Sequence, residues 1–194
     1  MPTNPSAGPA EHTATAASGS PGPDDPGGAS RPSNLRCEIA LGAGATGGAR
    51  DAIDAVPGLI GRAGAELGVT GEVRVRVVGD GEMALAHFTH CGVPGTTDVI
   101  TMDLRDPMGA AATDREIDAD LLVCIDEAAR QAEERGHTVT HELTLYILHG
   151  VLHCLGFDDH DDDAYAAMHA QEDRVLTAIG LGAVFGRGDA GAGT

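Results

Sequence analysis

The sequence contains no lysine and no tryptophan, and aromatic residues make up only 3% of its 194 residues. All 12 basic residues are therefore arginines, and 30 acidic residues give a formal net charge of −18. This balance argues against a protein that coats nucleic acid with its whole surface, but not against one that meets it in a local cleft. Because aromatics are scarce, a hydrophobic fraction of 42% must fill the core mainly with Val, Leu, Ile and Ala.

Long hydrophobic runs are also missing. No stretch approaches the roughly 20 apolar residues that a membrane-spanning helix needs. The N-terminus has no basic start followed by an apolar run, which is the pattern of a signal peptide. We therefore expect a cytoplasmic protein that does not associate with membranes.

The four cysteines form no C-x-x-C pair, and we expect free thiols in a chain without an export signal. They are Cys37, Cys91, Cys124 and Cys154. Cys37 and Cys124 lie in apolar, strand-like runs, where a small buried hydrophobic residue is the simplest interpretation.

The ends of the chain differ in composition from its middle. Residues 1–34 are rich in Pro, Gly, Ser, Ala and Thr and cannot bury enough apolar surface to offset their conformational entropy. We expect a disordered tail there and a flexible Gly-rich tail over 186–194. The folded domain is therefore predicted to span 35–185, which is long enough for one core.

Apolar periodicity predicts both strands and helices in this domain. The predicted strands are 35–41, 73–77, 98–104 and 120–126. The predicted helices are 49–67 (interrupted at Pro57 and Gly58), 81–90, 127–135, 139–154 and 162–179. Thr138 is predicted to cap the fourth helix, and Tyr165 to lie on the apolar side of the last. The predicted class is α+β, close to α/β, with a small mixed four-stranded β-sheet packed against helices.

His149 and His153 are four residues apart in the predicted helix 139–154, so both imidazoles can reach one metal ion at its end. Gly156 is expected to end this helix through a positive φ. The turn can then bring Asp159 or His160 back to the same ion. Three such ligands suit one Zn²⁺ ion and leave a fourth position open to water, which the ion can activate as a nucleophile near neutral pH.

The residues around the two histidines make some classes of metal site and hydrolase less consistent with the sequence. Metalloproteases commonly carry Glu directly after the first histidine, but this chain has Gly150 there. Glu142, seven residues before His149, is a candidate catalytic residue or contributor to the site's electrostatics, or else stabilises the helix N-terminus. Asp161 to Asp163 are expected to favour the start of the last helix. A Ca²⁺ loop is disfavoured because its alternating oxygen ligands and terminal Glu are missing.

The segment His149-Gly-Val-Leu-His153-Cys-Leu-Gly156-Phe-Asp158 resembles the signature of the YbeY family, which comprises zinc-dependent, single-strand-specific endoribonucleases of ribosomal RNA maturation. The flanking residues are similar to the same family. They are 97–101 and 120–125, which resemble two of its strands, 130–138, and Met168 and Glu172 in the final helix. The resemblance covers roughly residues 72–179.

This resemblance implies a zinc-dependent endoribonuclease that acts in ribosomal RNA processing, including maturation of the small-subunit rRNA 3′ end, and in ribosome quality control. It also implies rRNA and the ribosome or its small subunit as partners. Two other hypotheses remain. One is a zinc metallohydrolase acting on peptides or small molecules, and the other is a ribosome-associated factor with a structural metal.

The chain departs from the family pattern at the third ligand. The family's third histidine comes six residues after the second, a position held here by Asp159, with His160 one residue later. Carboxylate and imidazole both bind zinc. We expect His160 to be the ligand, with the Asp158-Asp159 pair supplying a carboxylate that orients an imidazole.

A second departure concerns contact with RNA. The family commonly has an Arg just before a loop glycine, where this chain has Cys91 followed by Gly92. His87 and His90 are then the candidate RNA-binding residues, although histidine contacts phosphate more weakly near neutral pH.

Overall fold

A computed structural model of the protein describes residues 34–42, 44–45, 48–106 and 115–187. The predicted N-terminal tail, apart from Asn34, lies outside the described residues. So does the predicted C-terminal tail, apart from Gly186 and Arg187, which belong to a short 3₁₀ helix.

The sheet has four strands in the order β1-β2-β4-β3, with β1, β2 and β4 parallel and β3 antiparallel to β4. The predicted α+β class with a mixed four-stranded sheet is confirmed. The strands are β1 (Leu35–Leu41), β2 (Thr70–Val78), β3 (Val99–Asp103) and β4 (Glu116–Cys124). The helices are α1 (Gly48–Ile53), α2 (Val56–Leu67), α3 (Asp80–Cys91), α4 (Ile125–Arg135), α5 (Val139–Cys154), α6 (Asp162–Ala178) and the 3₁₀ helix Phe185–Arg187.

Three local predictions differ from the structure. The predicted helix 49–67 is interrupted, but at residues 54–55 and not at Pro57 and Gly58. Pro57 lies in the first turn of α2, where its missing N–H has no partner to lose. β4 begins at Glu116, four residues before its predicted start, because buried Ile117 and Ala119 alternate with outward acids. It also ends two residues before its predicted end, because α4 begins at Ile125. Tyr165 is 51% exposed and does not lie on the apolar side of α6.

The larger core cluster lies where α2 packs on β1, and α5 packs on β3 and β4. A smaller cluster packs Met83 of α3 against Val78, Ile100 and Cys124. α5 is the central helix, with 12 of its 16 residues buried. A helix that is apolar around most of its circumference must be enclosed on most sides. Its observed start and end agree with the sequence prediction, and Thr138 caps it by accepting a hydrogen bond from the backbone N–H of His141.

Gly150 lets α5 approach the sheet closely. A Cβ atom added there would lie 2.5 Å from Oγ1 of Thr101 and 2.7 Å from Cδ2 of Leu121. The flanking His149 and His153 are therefore held beside β3. In the part of the chain that the structure describes, no helix combines the length and apolar character needed to cross a membrane.

Candidate metal centre

The two histidines of α5 meet at the inner wall of an open cleft. Nε2 of His149 lies 3.0 Å from Nε2 of His153. The cleft has a volume of about 630 Å³, which is in the range of small-molecule sites. Besides the two histidines, its walls include His87 and Cys91 of α3 and a polar set from the β3 region, namely Thr97, Asp98, Thr101 and Asp103.

Each of the two imidazoles has its proton fixed by a partner that can only accept a hydrogen bond. Nδ1 of His149 donates to the carboxylate of Glu172 at 2.8 Å. Nδ1 of His153 donates to the carbonyl oxygen of Phe157 at 3.1 Å. Gly156, with a φ of 87°, makes the turn that returns this carbonyl to the helix. Both rings therefore present the lone pair of Nε2 to the cleft.

Two imidazole lone pairs that face each other at 3.0 Å repel unless a positive charge lies beside them. Asp159 adds a carboxylate, with Oδ2 3.9 Å from Nε2 of His149. One ligand atom from each of His149, His153 and Asp159 lies within 4.8 Å of the other two. Two imidazole nitrogens and a carboxylate oxygen are a donor set that suits zinc and related divalent ions. The residues present thus fit a metal ion.

The electrostatic environment of His149 also favours a cation. Burial acts to lower its pKa, but the hydrogen bond to Glu172 and the nearby negative charges outweigh burial and raise the pKa above its ordinary value. These charges belong to Glu172, Asp98 and Asp159. A field that stabilises a proton on this ring also stabilises a metal ion beside it.

His160, the third ligand preferred from the sequence, lines the same cleft, but among the described residues it is Asp159 and not His160 that brings a donor atom within 4.8 Å of both histidines. Its side chain is 84% exposed, its Nδ1 is in close contact with the Asp158 carboxylate, and it lies 3.8 Å from Oδ1 of Asp159. Asp158 also accepts the backbone N–H of Asp159 at 2.8 Å. This tight turn does not form the one-residue bulge that would bring His160 inward. The structure instead places Asp159 beside the pair.

Glu142, predicted as a catalytic candidate, is not at the cleft. Its side chain is fully buried near the start of α5, where it lies 3.0 Å from the Arg135 guanidinium and 2.8 Å from Nε2 of His137. Seven residues return a helix to nearly the same face but advance it by about 10 Å. Glu142 therefore links α5 to the end of α4 and does not reach His149 and His153.

The two histidines predicted to contact RNA differ in position. His87 lines the cleft, with Nδ1 3.0 Å from the carbonyl oxygen of Gly95. His90 is exposed on α3 and is not part of the cleft wall. Cys91, at the position of the family's Arg, does line the cleft.

Glu172, which hydrogen-bonds to His149, is not among the site residues predicted from the sequence. Glu172 is fully buried, four residues after the equally buried Met168 on α6. An acid at a core-facing position of an amphipathic helix is rarely enclosed without a partner. A charged residue at a position that the helical pattern predicts to be buried is the sequence signal that could have identified Glu172. Asp98, predicted from the sequence only as a strand residue, also lines the cleft near His149.

Comparisons with known proteins show what the chain is similar to. The model of the endoribonuclease YbeY family matches residues 52–180. The YbeY endoribonucleases of Acidothermus cellulolyticus and Halorhodospira halophila are each 36% identical to the chain, over 115 and 112 residues. The first match covers 55% of this chain and 70% of the relative, and the second covers 57% and 72%. The Mycobacterium tuberculosis YbeY is 36% identical over 110 residues, which cover 54% of this chain and 62% of that protein.

A solved structure is also similar. The solution structure of a protein from Thermotoga maritima superimposes with a TM-score of 0.50 at 21% sequence identity. The match covers 74% of this chain and 88% of that one. At this identity the likeness shows a shared fold.

Proposed function

The chain belongs to the endoribonuclease YbeY family, and on this premise we propose that it is a zinc-dependent enzyme that hydrolyses phosphodiester bonds in single-stranded RNA. Family membership supports the nuclease activity and the role in ribosomal RNA processing. The observation that supports zinc is the pair of Nε2 lone pairs, 3.0 Å apart and close to a carboxylate, at an open cleft.

In this proposal one zinc ion is held by His149, His153 and Asp159, with His160 as the alternative third ligand. When bound there, zinc supplies a water of lowered pKa and positive charge for a phosphate oxygen. Glu172 and the Phe157 carbonyl keep the two imidazoles in the tautomer that leaves Nε2 available. Asp159 would offset part of the charge of the ion.

The residues that line the cleft carry few positive charges, so we expect the phosphates of a bound RNA to be held weakly. No arginine lines the cleft among the described residues. Thr97 and Thr101 can hydrogen-bond to a sugar or phosphate oxygen, and His87 can add positive charge when protonated. With so few cations, we expect binding to depend on unpaired bases as well as on the backbone, which agrees with single-strand specificity.

Hydrolysis of peptides is less well supported. The general base of a typical metalloprotease helix is a Glu after the first histidine. Gly150 occupies that position and faces Thr101 and Leu121 of the sheet, where even a Cβ atom has no room. A purely structural metal is also less well supported, because such a site uses four protein ligands. Among the described residues, three donors converge at the histidine pair, and Asp158 and His160 come within the same distance of Asp159 and of each other but not of the pair.

Ribosomal RNA is the substrate that we propose, including the 3′ end of the small-subunit rRNA. The ribosome or its small subunit would then be the partner, ribosome quality control a second role, and the cytoplasm the location. These assignments follow from the family.

The experiment is a cleavage assay on an end-labelled RNA oligonucleotide, tested single-stranded and annealed to its complement, with casein as the protein substrate. We expect cleavage of the single strand, little cleavage of the duplex, and none of casein. His149→Ala is the inactive control, and His90→Ala, outside the cleft, should retain activity. Casein hydrolysis, or RNA cleavage that persists in His149→Ala, would contradict the proposal.

A further inference from the structure

Glu172 contacts two imidazoles at once. Its Oε1 lies 2.8 Å from Nδ1 of His149, and its Oε2 lies 2.5 Å from Nδ1 of His169. An ionised carboxylate only accepts hydrogen bonds, so both rings must carry a proton on Nδ1. His149 is then committed to present Nε2 to His153 and Asp159. The same carboxylate thus couples the proposed zinc site to a histidine that lies outside the cleft lining.

His169 is enclosed by aromatic rings. Phe185 stacks on it, with ring centroids 3.6 Å apart and the planes at 22°, and Tyr165 meets it edge-on at 4.0 Å. Nε2 of His169 is buried and has no hydrogen-bond partner among the residues that the structure describes. Stacking and the bond to Glu172 therefore hold this ring, and the ring in turn covers the carboxylate.

Phe185 reaches His169 because the chain after α6 turns back over this helix. Asp173, the residue after Glu172, accepts the backbone N–H groups of Val184, Phe185 and Gly186 at 2.6, 3.1 and 2.7 Å. We call residues 184–186 the C-terminal strap. A carboxylate that accepts three N–H groups is a strong anchor, since each bond is charge-assisted. A Cβ atom at Gly186 would lie 3.2 Å from Oδ2 of Asp173, so the strap lies close against its anchor.

The two adjacent acids of α6 have different partners. Glu172 holds two imidazoles, and Asp173 holds the strap. Phe185 is the link between them, because its backbone is anchored by Asp173 and its ring rests on His169. The strap lies after residue 180, where the match to the family model ends.

We propose that Glu172 is a positioning residue for His149 and that the C-terminal strap keeps it in place by covering His169. This inference rests on the proposed zinc site. With the strap closed, the buried carboxylate has two Nδ1–H donors and is shielded from water. With the strap released, His169 can move away, water can reach the carboxylate, and His149 loses its fixed tautomer.

The test compares variants that release the strap with variants that preserve it. Phe185→Ala removes the stacked ring and Asp173→Ala removes the anchor, whereas Phe185→Tyr keeps a ring and should behave like the unmodified chain. Asp163→Asn, which removes an exposed carboxylate on the same helix, is the matched control. Glu172→Gln tests the carboxylate directly, because glutamine has one acceptor oxygen and can accept from only one of the two Nδ1–H groups.

Three readouts do not depend on RNA cleavage. Nitrogen NMR of histidine-labelled protein gives the tautomer of His169 in the metal-free chain. In the zinc-loaded chain it gives the exchange rate of the His149 Nδ1–H proton with water. Zinc affinity comes from competition with a chelator. For Phe185→Ala and Asp173→Ala we expect mixed His169 tautomers, proton exchange at least about tenfold faster, and zinc affinity lower by about 10–100-fold, the range for residues that orient a ligand.

Tautomers, exchange and affinity that stay unchanged in both strap-releasing variants would overturn the inference. So would zinc coordination through Nδ1 of His149 in the unmodified chain. A chain that shows the expected NMR and affinity changes but cleaves no RNA would contradict the proposed function alone. RNA cleavage combined with unchanged strap variants would contradict this inference alone.

Discussion

Nε2 of His149 lies 3.0 Å from Nε2 of His153, and the opposite nitrogen of each ring is already hydrogen-bonded to an acceptor. A neutral ring cannot turn its proton toward the other without giving up that bond, and a second proton on either ring would itself bring a positive charge. The pair is therefore arranged to share a positive charge, and Asp159 lies close enough to share it too. The following predictions test what that arrangement implies.

Replacing either histidine of the pair should abolish tight zinc binding. In His149→Ala and His153→Ala the ion keeps two of its three protein ligands, so the loss should exceed the roughly 10–100-fold typical of removing a supporting residue. Metal content after dialysis and competition with a chelator measure the effect. His90→Ala, an exposed histidine outside the cleft, is the control and should keep its zinc. Stoichiometric zinc in His149→Ala would refute the ligand assignment.

Asp159→Ala should cost more zinc affinity than His160→Ala. Asp159 lies beside the histidine pair, whereas His160 is 84% exposed and in contact with Asp158. The same chelator competition on the two single variants gives the comparison. Loss of zinc from His160→Ala, with Asp159→Ala still loaded, would show that the loop rearranges around the ion and that the ligand residue type outweighs spacing.

Gly150→Ala should destabilise the fold even though alanine is the better helix former. The added Cβ would meet Thr101 and Leu121 at 2.5 and 2.7 Å, and overpacking of this kind costs about 1–3 kcal/mol. Gly58→Ala is the matched control, because Gly58 is an exposed helical glycine with nothing within 4 Å of an added Cβ. It should be neutral or stabilising by up to about 1 kcal/mol. Urea unfolding measures the free energy of unfolding of both variants. Equal values for the two would contradict the close approach of α5 to the sheet.

The four cysteines should differ sharply in reactivity. Burial raises the pKa of the Cys124 and Cys154 thiols to about 11 and that of Cys37 to about 12. At pH 8 their thiolate fraction is then about one thousandth or less, and it grows only as the pH rises toward those values. Cys91 is exposed at the cleft.

A disulfide reagent at pH 8 should therefore modify one thiol per chain quickly, and Cys91→Ser should remove that fast phase. Single-stranded RNA should slow the reaction of Cys91 if the substrate occupies the cleft. Two or more fast thiols in the folded chain would contradict the raised pKa values of the other three cysteines, of which Cys37 is half-buried and not fully buried as predicted.

The central helix could be predicted closely from the sequence, because its signals are local. Thr138 is a good N-cap, Gly156 favours the turn through positive φ, and the residues between them are almost all apolar. The start of β4 was missed, because Asp118 and Asp120 are weak strand formers and only pairing with β2 shows that their neighbours face inward. Tertiary contacts outweighed local propensity there.

The pairing of His149 and His153 could be predicted from helical spacing, but the residues that hydrogen-bond to them could not. Glu172 is 23 positions from His149, and only the packing of α6 against α5 brings them together. The choice between Asp159 and His160 depends on the conformation of a short turn that Asp158 organises through its own side chain. Residue type alone favoured His160, which the structure leaves exposed.

Reversible removal of the metal tests the central claim most directly. The full chain is stripped with a chelator, dialysed, and assayed on single-stranded RNA before and after one equivalent of Zn²⁺ is added back, with His153→Ala treated in parallel. We expect cleavage to disappear on stripping, to return with zinc in the unmodified chain, and to stay absent in His153→Ala. Cleavage by the stripped chain at the rate of the untreated one would contradict a zinc-dependent site at His149 and His153.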